Sequence, residues 1–184
     1  ALAVGMMVPC FGATACGNNG NSGNGLGDVE GKTLMYIQDL STNNFRNLVS
    51  DTPLKFQNGI NILYGQNAAG KTNTLEAIFY FASGKSFRTG RDKDVIARQK
   101  DFASACITYN DLSGKHNMSF GISHGDKGLN KIMKIEQTPV EKISDFLGHF
   151  RAVLFTPDHL LLVKGAPEQR RHLIDLALCQ IKPR

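Results

Sequence analysis

Eight consecutive residues, Gly65, Gln66, Asn67, Ala68, Ala69, Gly70, Lys71 and Thr72, carry the one pattern in this chain that specifies a chemistry. Gly, four free positions, Gly, Lys and then Ser or Thr is the spacing of a phosphate-binding loop. Successive backbone N–H groups must curl around a phosphate, and glycines give the chain the conformations that turn those donors inward. Lys71 can then reach the β- and γ-phosphates, while the Thr72 hydroxyl can join a Mg2+ shell. The pattern predicts binding of a nucleoside triphosphate.

Such a loop works only between a strand and a helix. Upstream, Ile60-Asn61-Ile62-Leu63-Tyr64 reads as a short buried strand; downstream, Thr72 to Ser83 is an apolar helical run with Leu75, Ile78, Phe79, Phe81 and Ala82. The helix N-terminus adds its unpaired N–H groups and its positive dipole end to the phosphate site.

Other chemistries find less support. Asp39, Glu76 and Glu168 have no second carboxylate at a useful spacing for an acid and base pair. The five histidines lack ligand spacing, and the four cysteines form no CxxC pair. Phe79, Tyr80 and Phe81 read as core packing rather than a base-stacking platform. A basic stretch from Gly84 to Asp94 holds Lys85, Arg88, Arg91 and Lys93, which suit nucleic-acid phosphates but equally suit a solvated loop. Arg170-Arg171-His172 reads first as a helix surface.

The 184 residues, 41% of them hydrophobic, suffice for one domain with a real core, and the net charge of +5 leans toward an acidic partner. No apolar run approaches the length of about 20 residues that spans a bilayer. Residues 1–34 differ from the rest. An apolar stretch to Ala15 ends at Cys16 and gives way to a Gly and Asn tract, which reads as a flexible or non-native extension ahead of Met35. A lipoprotein-like signal around Cys16 is the rival reading, though its basic start is missing.

From Met35 the pattern predicts strands over 36–41 and 54–57, with Asn58-Gly59 as a tight turn. After the phosphate-loop helix come strands over 102–109, 117–123 and 131–137. Their turn-like linkers predict an antiparallel meander rather than repeated βαβ units. A short helix over 140–147, a buried strand over 152–155, a helical turn over 158–163 and a longer helix from Pro167 to about Ile181 complete the reading.

Several segments together resemble one family. MYIQDLSTNNFRN, then GINILYGQNAAGKTNTLEAIFYFASGKSFRTGRDKDVI, then FRAVLFTPDHLLLVKGAPEQRRHLID are similar to the amino-terminal part of the RecF family, ABC-type ATPases related to the SMC proteins. The resemblance covers residues 35–184 and implies an α/β P-loop fold of ABC-ATPase type. In that fold a mixed sheet carries an antiparallel meander, with an ATP-binding lobe over 35–156 and a helical second lobe beginning at 157–184. It implies ATP and Mg2+ as cofactors, with Gly65 to Thr72 on the triphosphate, Thr72 on the metal, and Asn67 and Asn73 flanking the loop. It places Arg46, within Asn44-Phe45-Arg46-Asn47, near nucleotide or DNA, and favours DNA contact by Lys85, Arg88, Arg91 and Lys93. The partners it implies are gapped or junction DNA, RecR and RecO, and a second copy in an ATP-dependent homodimer that helps load RecA in the cytoplasm.

Two departures bear on that reading. Ala68 and Ala69 stand where relatives often have Gly or a polar residue, which is tolerable if both have negative φ. The signature motif, the Walker B carboxylates and the D-loop are not found before Arg184, so the expectation is binding of ATP with negligible turnover. Asp158 follows an apolar strand but lies behind Pro157, and Asp175 sits within a helical pattern. A small P-loop kinase or GTPase is the alternative. Asn130-Lys131-Ile132-Met133 lacks the Asp of a guanine motif, and the antiparallel strands differ from a kinase's parallel continuation.

Overall fold

A computed structural model describes residues 5–7, 35–49, 52–125 and 128–156, together with Pro167, Glu168, Arg170, Arg171, Ile174, Asp175 and Leu178. Its centre is a six-stranded sheet in the order β3-β2-β4-β5-β6-β7, formed by β2 (Met35–Asn43), β3 (Leu54–Lys55), β4 (Phe102–Asp111), β5 (Gly114–Gly125), β6 (Gly128–Ile135) and β7 (Thr138–Val140). Every neighbouring pair is antiparallel. The meander expected after the phosphate-loop helix is therefore present and extended by β7; its first two strands run longer than expected, and the third ends at Ile135, where Glu136 and Gln137, both with positive φ, turn the chain. The parallel part of a mixed sheet is not among the described pairings. A separate two-stranded pairing joins β1 (Gly5–Met7), within the amino-terminal extension, to β8 (Val153–Phe155).

Alternation sets which face is buried. In β4, Ala103, Ala105, Ile107 and Tyr109 point into the core while Ser104, Cys106 and Thr108 face outward; Met118, Phe120 and Ile122 do the same in β5. In β2 the register against β4 shifts between Ile37 and Asp39. That irregularity lets Ile37 and Leu40, three positions apart, both face inward.

Helix α1 (Lys71–Ser83) lies on this inner face. Tyr80 and Phe81 pack against Phe120 with ring centroids 4.3 and 5.0 Å apart, and Phe45 meets Tyr80 and Phe120 edge-on. Such pairs add about 0.5–1.5 kcal/mol each beyond their buried area. The run Phe79, Tyr80 and Phe81 is thus core, as the sequence indicates. The helix ends at Gly84, whose φ of 68° sends its N–H back to the Tyr80 carbonyl. A Cβ there would lie 2.7 Å from the Ile143 side chain.

Three expectations fail. Residues 60–64 do not form a buried strand: Ile60, Ile62 and Tyr64 are 93%, 78% and 91% exposed. After β3 the Asn61 side chain clasps the turn, accepting from the Gln57 N–H and donating to the Gln57 and Gly59 carbonyls. The chain leaves the sheet there, and a strand without a neighbour has no ladder to hold it. The helix expected over 140–147 shrinks to one turn, α2 (Ile143–Phe146), held by buried Phe146. Strand β8 buries Leu154 but leaves Val153 and Phe155 about half exposed. Pro167, Glu168, Arg170, Arg171, Ile174, Asp175 and Leu178 lie in the helix expected from Pro167, and all are exposed. The turn expected over 158–163 lies outside the described residues.

Candidate functional site

The phosphate loop leads directly into α1 through three residues with positive φ: Gly65 at 146°, Ala68 at 64° and Gly70 at 98°. Gly70 caps the helix, and its missing side chain matters for space as well as angle. A Cβ there would sit 2.7 Å from Leu48 Cδ2 and 3.1 Å from Asn47 Oδ1. The sequence allowed alanine at 68 and 69 on condition of negative φ. Ala69 meets that condition and Ala68 does not, so Ala68 carries a left-handed strain of about 1–2 kcal/mol. The Asn47 side chain holds it there by donating to the Ala68 carbonyl at 2.7 Å.

Within the loop, the Lys71 ammonium donates to the Gly65 and Gln66 carbonyls at 2.9 and 2.6 Å. Its charge is thereby set at the centre of the curl. Thr72 is exposed in the first helical turn, and Gln66, Asn67, Ala68 and Ala69 are exposed along the loop. The first turn of α1 contains no acidic residue, so its dipole and N–H groups are not neutralised locally. This is an arrangement suited to an anion.

Around the loop lies a network that the sequence pattern does not reveal. Glu76, one turn beyond Thr72, is fully buried. Its carboxylate accepts from Arg46 Nε at 3.1 Å and Arg46 Nη2 at 2.7 Å, from the Ser86 hydroxyl, and from Arg88 Nη1 at 3.4 Å. Burial of a lone carboxylate would be costly, and two guanidiniums with a hydroxyl satisfy it here. Arg46 is positioned by its own backbone: its φ is 55°, its N–H bonds to the Val95 carbonyl at 2.7 Å, and neighbouring Phe45 is wholly buried. The side chain of Arg46 therefore faces Glu76, and it is 18% exposed.

The basic segment is fastened at both ends. Arg88 Nη1 donates to Asn73 Oδ1 at 2.7 Å, and Asn73 Nδ2 to Asn47 Oδ1 at 2.6 Å. At the far end Asp92, in the 3-10 turn Asp92–Val95, accepts from the Tyr80 hydroxyl at 2.8 Å and from Lys131 at 3.1 Å. Lys131 also donates to the Gly84 carbonyl and lies over the Tyr80 ring, 4.6 Å from its centroid. Burial lowers the Lys131 pKa, with Asp92 opposing. Burial and the Asp92 carboxylate push the Tyr80 hydroxyl far up. Lys85, Arg88, Arg91 and Lys93 are all exposed.

The structure thus brings together the phosphate loop, Asn73, Arg46 and Arg88, and no side-chain contact among the described residues ties Lys85, Arg91 or Lys93 to them. Sequence reasoning named Glu76 only as a carboxylate without a pair and Asn47 only within Asn44-Phe45-Arg46-Asn47, and it did not single out Ser86. Spacing alone puts Glu76, four residues after Thr72, on the same side of the helix, but the arginines that meet it come from elsewhere in the chain. Among the described residues no cluster suited to holding a metal ion is present. No helix among them is long and apolar enough to cross a membrane.

Comparison with known proteins bears on the whole of this region. The model of the RecF/RecN/SMC N terminal domain family matches residues 36–160. The DNA replication and repair protein RecF of Acetivibrio thermocellus is 39% identical over 149 residues, covering 81% of this chain and 39% of that protein. RecF of Streptococcus uberis is 41% identical over 149 residues, covering 81% and 40%. RecF of Bacillus subtilis is 39% identical over 150 residues, covering 81% and 39%. The chain therefore spans about two fifths of the length of these relatives. Among solved structures, the recombination mediator protein RecF-ATP of the RecFOR pathway superposes with a TM-score of 0.75 at 29% identity, covering 84% of this chain and 40% of that one. The RecF-ATPrS structure gives 0.73 at 29%, covering 82% and 40%.

Proposed function

This chain belongs to the family of RecF/RecN/SMC N-terminal domains, with the α/β fold of an ABC-type ATPase, and we propose that it forms the ATP-binding part of a DNA replication and repair ATPase. The observation that carries the reading is the loop itself. Gly65, Ala68 and Gly70 bend the backbone with positive φ into a helix start that bears no acidic residue, around the Lys71 ammonium.

In this reading the N–H groups of 66–72 and the helix N-terminus hold the phosphates of ATP, and Lys71 exchanges its carbonyl partners for phosphate oxygens. Mg2+ would supply neutralisation of the phosphate charge there. The exposed Thr72 hydroxyl is the group on this chain that fits its shell. Glu76 is not a water-activating base, because Arg46, Arg88 and Ser86 already occupy its oxygens. Lys85, Arg88, Arg91 and Lys93 meet DNA phosphates. Residues 35–156 form the ATP-binding lobe and 157–184 begin a helical second lobe. The whole protein works in the cytoplasm, dimerises on ATP, and acts with RecR and RecO on gapped or junction DNA to help load RecA.

Two measurements test this. Titration with ATP and Mg2+ should show binding that Lys71→Ala weakens at least about ten-fold, as loss of a charge-assisted contact requires. Binding to a gapped duplex should weaken with salt, and removing all four cations should flatten the slope of log K against log salt by roughly 3 to 4. ATP affinity indifferent to Lys71, or DNA binding indifferent to salt, refutes the corresponding half.

A further inference from the structure

Alternation along β6 makes 131 a core position. Lys131, Met133 and Ile135 stand opposite Ile122, Phe120 and Met118 of β5, and those three partners are buried. Lys131 is accordingly only 22% exposed, and an ammonium is costly to take from water without partners. Its partners lie at the two ends of one segment. The ammonium donates to the Gly84 carbonyl, where α1 ends, and to Asp92 Oδ2 at 3.1 Å, and it rests 4.6 Å from the Tyr80 ring centroid. The other Asp92 oxygen accepts from the Tyr80 hydroxyl at 2.8 Å. One side chain of β6 thus closes residues 84–92 into a loop.

The near half of that loop has its own fastening. The Ser86 hydroxyl donates to Glu76 and accepts from the N–H groups of Arg88 and Thr89 at 3.0 and 3.1 Å, and Phe87 meets Phe79 edge-on. At the far end Asp92 opens the 3-10 turn, in which the N–H groups of Asp94 and Ile96 return to the Arg91 and Lys93 carbonyls at 3.1 and 3.2 Å. Asp92 is turned inward onto Lys131, and the residues on either side of it, Arg91 and Lys93, are exposed. Stability alone does not account for the ammonium, since apolar side chains of similar volume commonly replace a buried ion pair without loss.

We propose that Lys131 is a positioning residue for nucleic acid: by clipping Asp92 to the end of α1 it holds Arg91 and Lys93 in place to meet phosphates, without touching a phosphate itself. The proposal rests on the DNA reading above and adds a residue outside the basic segment that governs it. A loop that is already closed loses less freedom when a polyanion binds, and the affinity is higher by that difference.

Lys131→Met keeps an unbranched stem and removes the charge, so the 184-residue chain should unfold in urea at or above the native midpoint. Without ligand, amide exchange at Asp94 and Ile96 should quicken at least about ten-fold, as loss of a charge-assisted hydrogen bond requires. Arg88 and Thr89, held through Ser86, should exchange as before. Affinity for a short gapped duplex should fall about five-fold, with an unchanged slope of log K against log salt, whereas Arg91→Ala with Lys93→Ala should flatten that slope by roughly 2. Asp92→Asn separates the clip from simple charge. It removes a negative charge beside two cations, which by itself would strengthen DNA binding, while loss of the clip weakens it. Unchanged exchange at Asp94 and Ile96 in Lys131→Met, or duplex affinity that rises in Asp92→Asn, overturns the proposal and leaves the DNA reading intact. A native chain that does not bind the duplex refutes that reading and the positioning role together.

Discussion

Arg46 and Glu76 meet through two hydrogen bonds, of 3.1 and 2.7 Å, across 30 residues of chain. The pair fastens the loop after β2 to the first turns of α1, and it does so on the side of the helix that carries the phosphate loop. Without it the fully buried carboxylate would keep only the Ser86 hydroxyl and the longer, 3.4 Å contact of Arg88. With it, the two segments that flank the phosphate loop form one rigid support.

Glu76→Gln should therefore destabilise the chain by about 3 kcal/mol, since removing one partner of a buried pair leaves the other charge uncompensated. Arg88→Ala should cost under about 1 kcal/mol, because Arg88 is nearly half exposed and 3.4 Å from the carboxylate. Urea unfolding of the two variants gives the comparison; equal losses would mean that the carboxylate's main partner is not Arg46.

Ala68→Gly tests the strain in the loop. Glycine adopts a φ of 64° without the steric penalty, a gain of about 1–2 kcal/mol, while its freer unfolded chain takes back about 0.5–1. The net expectation is a chain more stable by up to about 1.5 kcal/mol in thermal or urea unfolding. A loss of stability would show that the left-handed angle at 68 is not populated.

The meander was legible because period-2 alternation in 102–109 and 117–123 reports a half-buried sheet, and turn residues mark its ends. The phosphate loop was legible because its chemistry is local: the glycines, Lys71 and Thr72 work within one loop. The contacts that Glu76, Asn47 and Arg88 make were not, because they exist only where segments 12 to 30 residues apart meet. The segment Ile60 to Tyr64 shows the opposite error. Its apolar alternation describes side chains fit for a sheet, but pattern carries no information about which strand lies alongside.

That exposure makes a prediction about residues 60–64. Ile62, 78% exposed, supports no core contact, so Ile62→Ser should change stability by no more than about 0.5 kcal/mol. Removing one side chain from an exposed apolar row should also reduce self-association, measured by light scattering at rising concentration. A loss of 2 kcal/mol or more in this variant would place Ile62 in the core after all.

Alkaline pH probes the tyrosines that flank the sheet. Tyr109 is 2% exposed, donates to the His149 carbonyl at 3.1 Å, and has its pKa pushed up to about 12 by burial, then by Asp111 and Glu136. Tyr80 is raised further by burial and Asp92. A group whose folded pKa exceeds its unfolded value near 10.0 keeps its full contribution below pH 10 and loses it as pH rises toward the folded value. Lys131, lowered by burial, acts oppositely, because its unfolded form holds the proton longer. It offsets part of the loss. The two tyrosines dominate, and stability in urea should fall between pH 10 and 12 by about 2–3 kcal/mol for Tyr109 alone. Tyr109→Phe removes that titration at the cost of one hydrogen bond, so its stability should fall less steeply over the same interval. An equal slope in the variant and the native chain would mean that Tyr109 ionises in the folded state as readily as in the unfolded one.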